Sequence, residues 1–134
     1  MLLAVVSSGV ATEQYLCVPD KATGFAYDAK KKGWGVTEFT TNVKWVVAPP
    51  KNGKQAFVVT RIGEKRPEYS CKEGVNDSGI LLCSGFGVLN FNRNSGRYLR
   101  TQLGYFSVGV DADIEVDDAH AGSPLIEIGK CSPF

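Results

Sequence analysis

Four cysteines constrain this chain more than any other feature of its sequence. They are Cys17, Cys71, Cys83 and Cys131, an even number within 134 residues, and they follow a short apolar segment that ends at Ala11. An even set of cysteines in a short exported chain indicates disulfide bonds, and four cysteines allow three pairings. The sequence therefore predicts a disulfide-stapled domain in an oxidising compartment, either secreted or periplasmic.

The turn between the two middle cysteines favours one of the three pairings. Residues 76–79 read Asn-Asp-Ser-Gly, a strong turn signal, and a fold-back there places Cys71 opposite Cys83. Cysteines that face each other in this way bring their Cβ atoms to disulfide distance. Cys17 and Cys131 are then left to pair. Their bond closes a loop that contains most of the chain, which contributes about 4–5 kcal/mol in the chain-entropy model.

The first eleven residues resemble the remnant of a signal peptide. Leu2–Val6 are apolar, and the small residues Gly9 and Ala11 occupy the positions that a signal peptidase prefers. The positively charged start of a signal peptide is missing, and the apolar stretch is short, so a buried first strand is the alternative. The predicted division is a leader over 1–11 and one β domain over 12–134. No other segment has the length and apolarity of a membrane span, so no stable membrane insertion is expected.

Short β-prone runs separated by turn residues recur along the chain at intervals of about ten residues. The runs are Gln14–Val18, Gly24–Tyr27, Trp34–Phe39, Val43–Ala48, Ala56–Ile62, Tyr69–Lys72, Ile80–Ser84, Gly87–Asn92, Arg97–Gly104, Phe106–Val116 and Leu125–Lys130. No long stretch has helical periodicity. The predicted fold is all-β and antiparallel, either a small β-barrel or a two-sheet β-sandwich built from hairpins.

Two of these turns share one local pattern, an aromatic residue followed by Asx, a polar turn and a second aromatic residue. The two copies are Tyr27-Asp28 with Trp34, and Phe91-Asn92 with Tyr98. In a hairpin the Asx side chain caps the turn, and the two aromatic rings pair across the strands. Two copies are too few for a repeat architecture, so the pattern predicts repeated hairpin chemistry within one antiparallel sheet.

Composition and spacing exclude several classes of function. The formal net charge is +1, so no nucleic-acid partner is expected. The cysteines are too far apart for a metal knuckle and His120 is the sole histidine, so neither a metal nor a cofactor is predicted. His120 has Asp and Ser neighbours in sequence, but no nucleophile motif accompanies them, and no catalytic residue is assigned.

Two sets of residues are candidates for binding. Aromatic residues suit the wet edge of a pocket or a barrel mouth, and the ligand-binding candidates are Trp34, Trp45, Tyr98 and Tyr105. Four acids recur at every second position and share one face of a strand, and these partner-binding candidates are Asp111, Asp113, Glu115 and Asp117. The same acids also suit a solvated edge strand that resists aggregation.

The leading hypothesis is an exported, non-enzymatic protein, a monomer or small homo-oligomer, that binds a small ligand or another protein. One alternative is a protein inhibitor or adhesion module that uses the acidic strand. Another alternative is a hydrolase-like enzyme whose dispersed carboxylates converge on folding, for which two buried carboxylates about 5–9 Å apart in a cleft would be the sign.

Overall fold

A computed structural model of the chain describes residues 13–103 and 122–134, and within these ranges the protein is built from nine β-strands without a helix. The strands are β1 (Tyr15–Asp28), β2 (Gly33–Phe39), β3 (Trp45–Ala48), β4 (Phe57–Arg61), β5 (Tyr69–Cys71), β6 (Ile80–Gly85), β7 (Val88–Asn92), β8 (Arg97–Gln102) and β9 (Leu125–Pro133). The all-β prediction is confirmed.

Eight of the nine strands form a closed antiparallel barrel. From β3 to β9 each strand pairs with the next in sequence, and β9 returns to pair with β1, which also pairs with β3. Of the two predicted architectures, the structure therefore has the barrel. The end at which β4, β6 and β8 terminate is called the upper end below.

The first strand is longer than predicted and has two neighbours along one of its edges. Tyr15–Cys17 pair with β3, Ala22–Asp28 pair with β2, and the opposite edge pairs with β9. The sequence predicted two separate runs here, Gln14–Val18 and Gly24–Tyr27. In the structure the register shifts between Pro19 and Lys21, and a bulge accommodates a residue that has no N–H to donate.

Both predicted aromatic hairpins are confirmed. Tyr27 lies opposite Trp34 across β1 and β2, with ring centroids 5.5 Å apart. Phe91 lies opposite Tyr98 across β7 and β8. Phe91 and Tyr98 form the last pair before their turn, and Tyr27 and Trp34 form the pair next to the last before theirs.

The Asx residues cap these turns as expected. Asp28 Oδ1 accepts hydrogen bonds from the backbone N–H groups two and three residues later, at 2.9 and 3.2 Å. Asn92 Oδ1 accepts the corresponding pair at 2.9 and 3.2 Å. One side-chain oxygen thus satisfies two backbone donors that the hairpin leaves unpaired.

Both predicted disulfides are present, and no cysteine is free. Cys17 and Cys131 face each other across β1 and β9 with their Cα atoms 3.9 Å apart. Cys71 and Cys83 join β5 to β6 with a Cα separation of 4.1 Å. The first bond therefore fastens the strand pair that closes the barrel. Disulfides of this kind are consistent with an extracellular or otherwise oxidising environment.

Side chains fill the barrel interior. The inward positions alternate with outward ones along each strand, and the disulfide sulfurs belong to the same buried cluster. The largest fully buried side chains are Trp45, Phe91, Leu81, Leu89, Val47 and Val59. A small eight-stranded barrel is just wide enough for such a filled interior.

Candidate functional site

Strands β8 and β9 direct two charged residues, Arg100 and Glu127, into the barrel. The aliphatic residues next to them in sequence, Leu99, Ile126 and Ile128, lie on its outer surface. On β8 the buried residues are Tyr98 and Arg100. On β9 Glu127 is buried and shares the inward face with Gly129 and Cys131. The residues between them lie on the outer surface. The inward charged residues form a buried ionic cluster, and the outward aliphatic residues form an apolar part of the outer wall.

The buried cluster is organised around the carboxylate of Glu127. Arg100 donates to it through Nε at 3.0 Å and through Nη2 at 3.2 Å. The hydroxyl of Tyr98 donates at 2.9 Å, and the indole N–H of Trp45 donates at 3.2 Å. The side chains of Arg100 and Glu127 are only 6 % and 4 % exposed. Four donors therefore compensate the burial of one negative charge.

The guanidinium of Arg100 is held from two further directions. Its Nη1 donates to the Tyr69 hydroxyl at 3.2 Å, and that hydroxyl donates to a backbone carbonyl oxygen of β8 at 2.9 Å. Its Cζ atom lies 4.6 Å from the centroid of the Trp45 ring. The cluster thus ties β3, β5, β8 and β9 together across the barrel interior.

The protonation states of the cluster follow from burial and charge. Burial acts to lower the pKa of Arg100, but its hydrogen bonds to Glu127 and Tyr69 outweigh burial and raise that pKa. Burial also raises the pKa of Tyr69 and of Tyr98, and the charge of Glu127 adds to the increase at Tyr98. Both phenols stay neutral and donate hydrogen bonds, so the cluster acts as a fixed ionic clamp.

A second guanidinium approaches the same indole at the upper end of the barrel. Arg61 lies opposite Trp45 in the β3–β4 pairing, and its Cζ atom lies 5.5 Å from the Trp45 ring centroid. Its Nε lies 3.7 Å from a carboxylate oxygen of Glu68, and these two side chains are 40 % and 38 % exposed. Trp45 is therefore in contact with one buried and one accessible cation.

The outer wall of the barrel carries four exposed aliphatic side chains, with one polar residue, Asn90, among them. Leu82, Leu99, Ile126 and Ile128 are 58 %, 37 %, 50 % and 46 % exposed. Leu99 pairs directly with Ile128, and Asn90 lies between Leu99 and Leu82 in the register of the sheet. These four residues, hereafter the outer-wall patch, span four neighbouring strands that are each about 4.8 Å apart.

Basic residues border this patch on two sides. Arg97 and Lys130 are exposed and lie directly opposite each other on β8 and β9. Lys21 is exposed and lies opposite Ile128 on β1, and Asp20 and Glu38 line the same surface depression as Lys21 and Ile128. Like charges that face each other across a strand pair destabilise a sheet, so the rim is not explained by the stability of the barrel.

The predicted ligand-binding residues occupy two separate places. Trp45 and Tyr98 meet at Glu127 in the barrel interior. Trp34 lies on β2, outside the closed ring, where it is half-buried and packs edge-to-face on Tyr27. Tyr105 lies outside the described residues. A ligand-binding role for these residues stays a prediction.

Several other predictions also fall outside the described residues. These are the leader over 1–11, the strand over 106–116, His120, and the acidic set Asp111, Asp113, Glu115 and Asp117. In the part of the chain that the structure does describe, no group of three or more His, Cys, Asp or Glu residues is arranged to hold a metal ion. The same residues contain no helix with the length and apolarity needed to cross a membrane.

Sequence reasoning missed both the buried ion pair and the apolar outer wall. Both could have been predicted from the rule that alternate residues of a strand share one face. A disulfide cysteine is among the most buried residues of a small domain. Counting back from Cys131 by twos reaches Gly129 and then Glu127, which must share the inward face. The same count places Ile126 and Ile128 on the outside.

Comparison of the chain with protein-family models, with curated proteins and with solved structures finds no match.

Proposed function

We propose that this chain is an exported, non-enzymatic binding protein that docks another protein on the outer wall of its barrel. The observation that supports the proposal is the outer-wall patch. Four large aliphatic side chains occupy outward positions of β6, β8 and β9, where the solvated face of an antiparallel sheet ordinarily has polar residues. Contiguous apolar surfaces with a polar rim are typical of protein interaction sites.

The rim indicates the chemistry of the partner. Arg97 and Lys130 give one side of the patch a positive charge, so a complementary partner presents apolar side chains with acidic ones at the edge that meets these two residues. Such a partner also relieves the repulsion between Arg97 and Lys130. Rim charges act mainly on the association rate, which makes salt dependence a signature of this mode of binding.

The barrel interior favours a surface function over an internal ligand. Its inward positions are filled by aromatic and aliphatic side chains and by the ionic clamp. Among the described residues Glu127 is the one buried carboxylate, and both of its oxygens accept hydrogen bonds. The described residues therefore do not supply the two buried carboxylates on which the hydrolase alternative depends.

The export part of the proposal is supported by the two disulfides and by the leader-like segment over 1–11. Buried disulfides that close a barrel persist in a periplasm or outside the cell. Rigid covalent closure also suits a docking surface, because a partner then orders fewer side chains and loops on binding.

Site-specific photo-crosslinking tests the proposal. A photoreactive amino acid replaces Ile128 in the patch, and in a control it replaces Ile62, which is 52 % exposed on the β4–β5 connection and lies outside the patch. In cells that export the protein, we expect a discrete adduct with one protein from position 128 and none from position 62. The crosslinked protein is then identified and purified for direct binding measurements.

The purified partner allows a quantitative comparison. We expect Ile128→Asp to weaken binding by about tenfold or more, because a charge is buried in an apolar contact, while Ile62→Asp leaves affinity unchanged. Added salt should slow association with the wild-type protein. An adduct with a second copy of this chain, or equal crosslinking at both positions, would contradict the proposal.

A further inference from the structure

Strand β2 lies outside the closed ring and has a neighbour along one edge only. In the part of the chain that the structure describes, β2 pairs with β1 alone, whereas every other strand has a neighbour along both edges. The edge of β2 that faces away from β1, hereafter the β2 edge, therefore has no described strand opposite it.

The alternation of the backbone shows which groups point out from the β2 edge. In an antiparallel strand the N–H and C=O of one residue point to one side, and those of the next residue point to the other. The N–H of Phe25 on β1 donates to the carbonyl oxygen of Pro124 at 3.0 Å, on the side of β1 that faces β9. Phe25 and its partner Val36 therefore form a pair without mutual hydrogen bonds. Val36, and Glu38 two residues later, direct their N–H and C=O groups outward.

The side chains of β2 do not protect this edge. Val36, in the middle of the strand, is 81 % exposed and is the most exposed large apolar residue among those described. Proteins ordinarily block a strand edge with a lysine, a proline or a bulge, because an open edge is a template for another strand. Strand β2 reads Gly-Trp-Gly-Val-Thr-Glu-Phe and pairs with β1 without a shift of register, so it has none of these three devices.

We propose that two copies of this chain dimerise through their β2 edges, paired as antiparallel strands with the two Val36 side chains close to the two-fold axis. Addition of a strand to an open edge obtains its affinity from main-chain hydrogen bonds, which the outward groups of Val36 and Glu38 supply. A two-fold axis brings the same segment of both copies together. The interface is separate from the outer-wall patch and does not depend on it.

The charges at the two ends of β2 indicate a second copy as the partner. Lys32 immediately precedes the strand, Glu38 lies near its other end, and both are exposed. Antiparallel pairing about Val36 places Lys32 of each copy beside Glu38 of the other, so two pairs of opposite charge flank the apolar centre. Parallel pairing in register would bring like charges together instead. The contact is small, so we expect a weak dimer that forms as the protein concentration rises.

Sedimentation equilibrium over a range of protein concentrations measures this association. The wild-type chain should change from monomer towards dimer as the concentration rises. Val36→Lys places two like charges near the axis and should weaken dimerisation by about tenfold or more. Val88→Lys is the matched control, because Val88 is 41 % exposed on β7, which has a neighbour along both edges, and it should leave dimerisation unchanged. Equal denaturation midpoints check that both variants are folded.

Charge reversals test the antiparallel arrangement. Lys32→Glu and Glu38→Lys each convert both flanking pairs into like-charge pairs, so each variant should associate with itself about threefold more weakly or worse. A mixed dimer of the two variants regains both pairs of opposite charge. An equal mixture should therefore dimerise about as well as the wild-type protein. A mixture that associates no better than the separate variants would overturn this arrangement.

Amide hydrogen exchange distinguishes the β2 edge from any other contact surface. The amides of Val36 and Glu38 should exchange more slowly as the protein concentration rises, whereas the amide of Thr37, which faces β1, should not change. A wild-type chain that stays monomeric at its highest soluble concentration would overturn the proposal. Equal dimerisation by Val36→Lys and the wild-type protein, or exchange at Val36 and Glu38 that does not depend on concentration, would overturn it as well.

Discussion

Replacing Glu127 by glutamine probes the ionic clamp with the least change of shape. The amide has nearly the same volume as the carboxylate, but it carries no charge and replaces one acceptor oxygen with a donor. Four donors from Arg100, Tyr98 and Trp45 now converge on Glu127. After substitution the Arg100 guanidinium stays buried without its counter-charge, and one amide N–H faces another donor.

The expected loss of unfolding free energy is about 3–5 kcal/mol, the range for breaking a buried ion pair by removing one partner. The upper part of that range is appropriate because both side chains are less than one-tenth exposed. A domain of this kind has about 5–15 kcal/mol of stability in total, so Glu127→Gln removes about a fifth of it or more.

A second substitution separates the effect of charge from the effect of packing. Arg100→Met in the Glu127→Gln background removes the uncompensated charge, and the glutamine oxygen can still accept from Tyr98 and Trp45. We expect this double variant to be more stable than Glu127→Gln by about 2 kcal/mol. Guanidinium-induced unfolding with both disulfides intact measures each variant through tryptophan fluorescence. The reasoning fails if Glu127→Gln costs less than about 1 kcal/mol, or if the double variant is no more stable than Glu127→Gln.

Two further predictions concern Tyr98 and its neighbour across the strand pair. Burial raises the pKa of the Tyr98 hydroxyl above the value of 10.0 that it has when exposed. Its contribution to stability is therefore complete below pH 10 and decreases above it, by about 1.4 kcal/mol per pH unit. Unfolding at a series of pH values should show Tyr98→Phe with a correspondingly shallower alkaline decline, and an identical decline would contradict this. Gly129→Ala would place a methyl group against the Val18 carbonyl oxygen and the Tyr98 ring, and should cost about 1–3 kcal/mol in the same assay. Gly74→Ala, with no described atom within 4 Å, should stay within about 0.5 kcal/mol, and equal effects would refute the crowding argument.

The sequence predicted the strands well because the turns between them contain residue types that favour turns, such as Asn, Asp and Gly. Asn92 and Asp28 cap their hairpins through local hydrogen bonds that depend on only a few neighbouring residues. The pairing of Cys71 with Cys83 could likewise be predicted from the sequence, since a single turn brings the two together. Such local signals do not depend on the rest of the fold.

The choice between barrel and sandwich depended on contacts that are remote in sequence. Closure rests on the pairing of β1 with β9, and no periodicity within either strand encodes its partner. The predicted bond between Cys17 and Cys131 implied that these strands meet. It did not say whether the intervening strands form one ring or two sheets.

The candidate sites were harder to predict because their residues look ordinary in isolation. Arg and Glu are common on protein surfaces. Only the even spacing of Glu127 from the inward-facing Cys131 on the same strand indicates that Glu127 is buried. Ile128 was assigned to a strand but not to a face. Arg61 contacts the Trp45 ring only because the two residues lie opposite each other in the folded sheet.

The bond between Cys17 and Cys131 also has a mechanical consequence. Tension applied through Gln14 and Ser132 passes directly across this covalent link, because the two cysteines face each other in adjacent strands. The residues between them form a closed ring that such a pull does not load. A translocating motor that threads the chain from either end would therefore meet a covalently closed loop, and a separate thiol reductant would have to cleave this disulfide before the barrel could be fully extended.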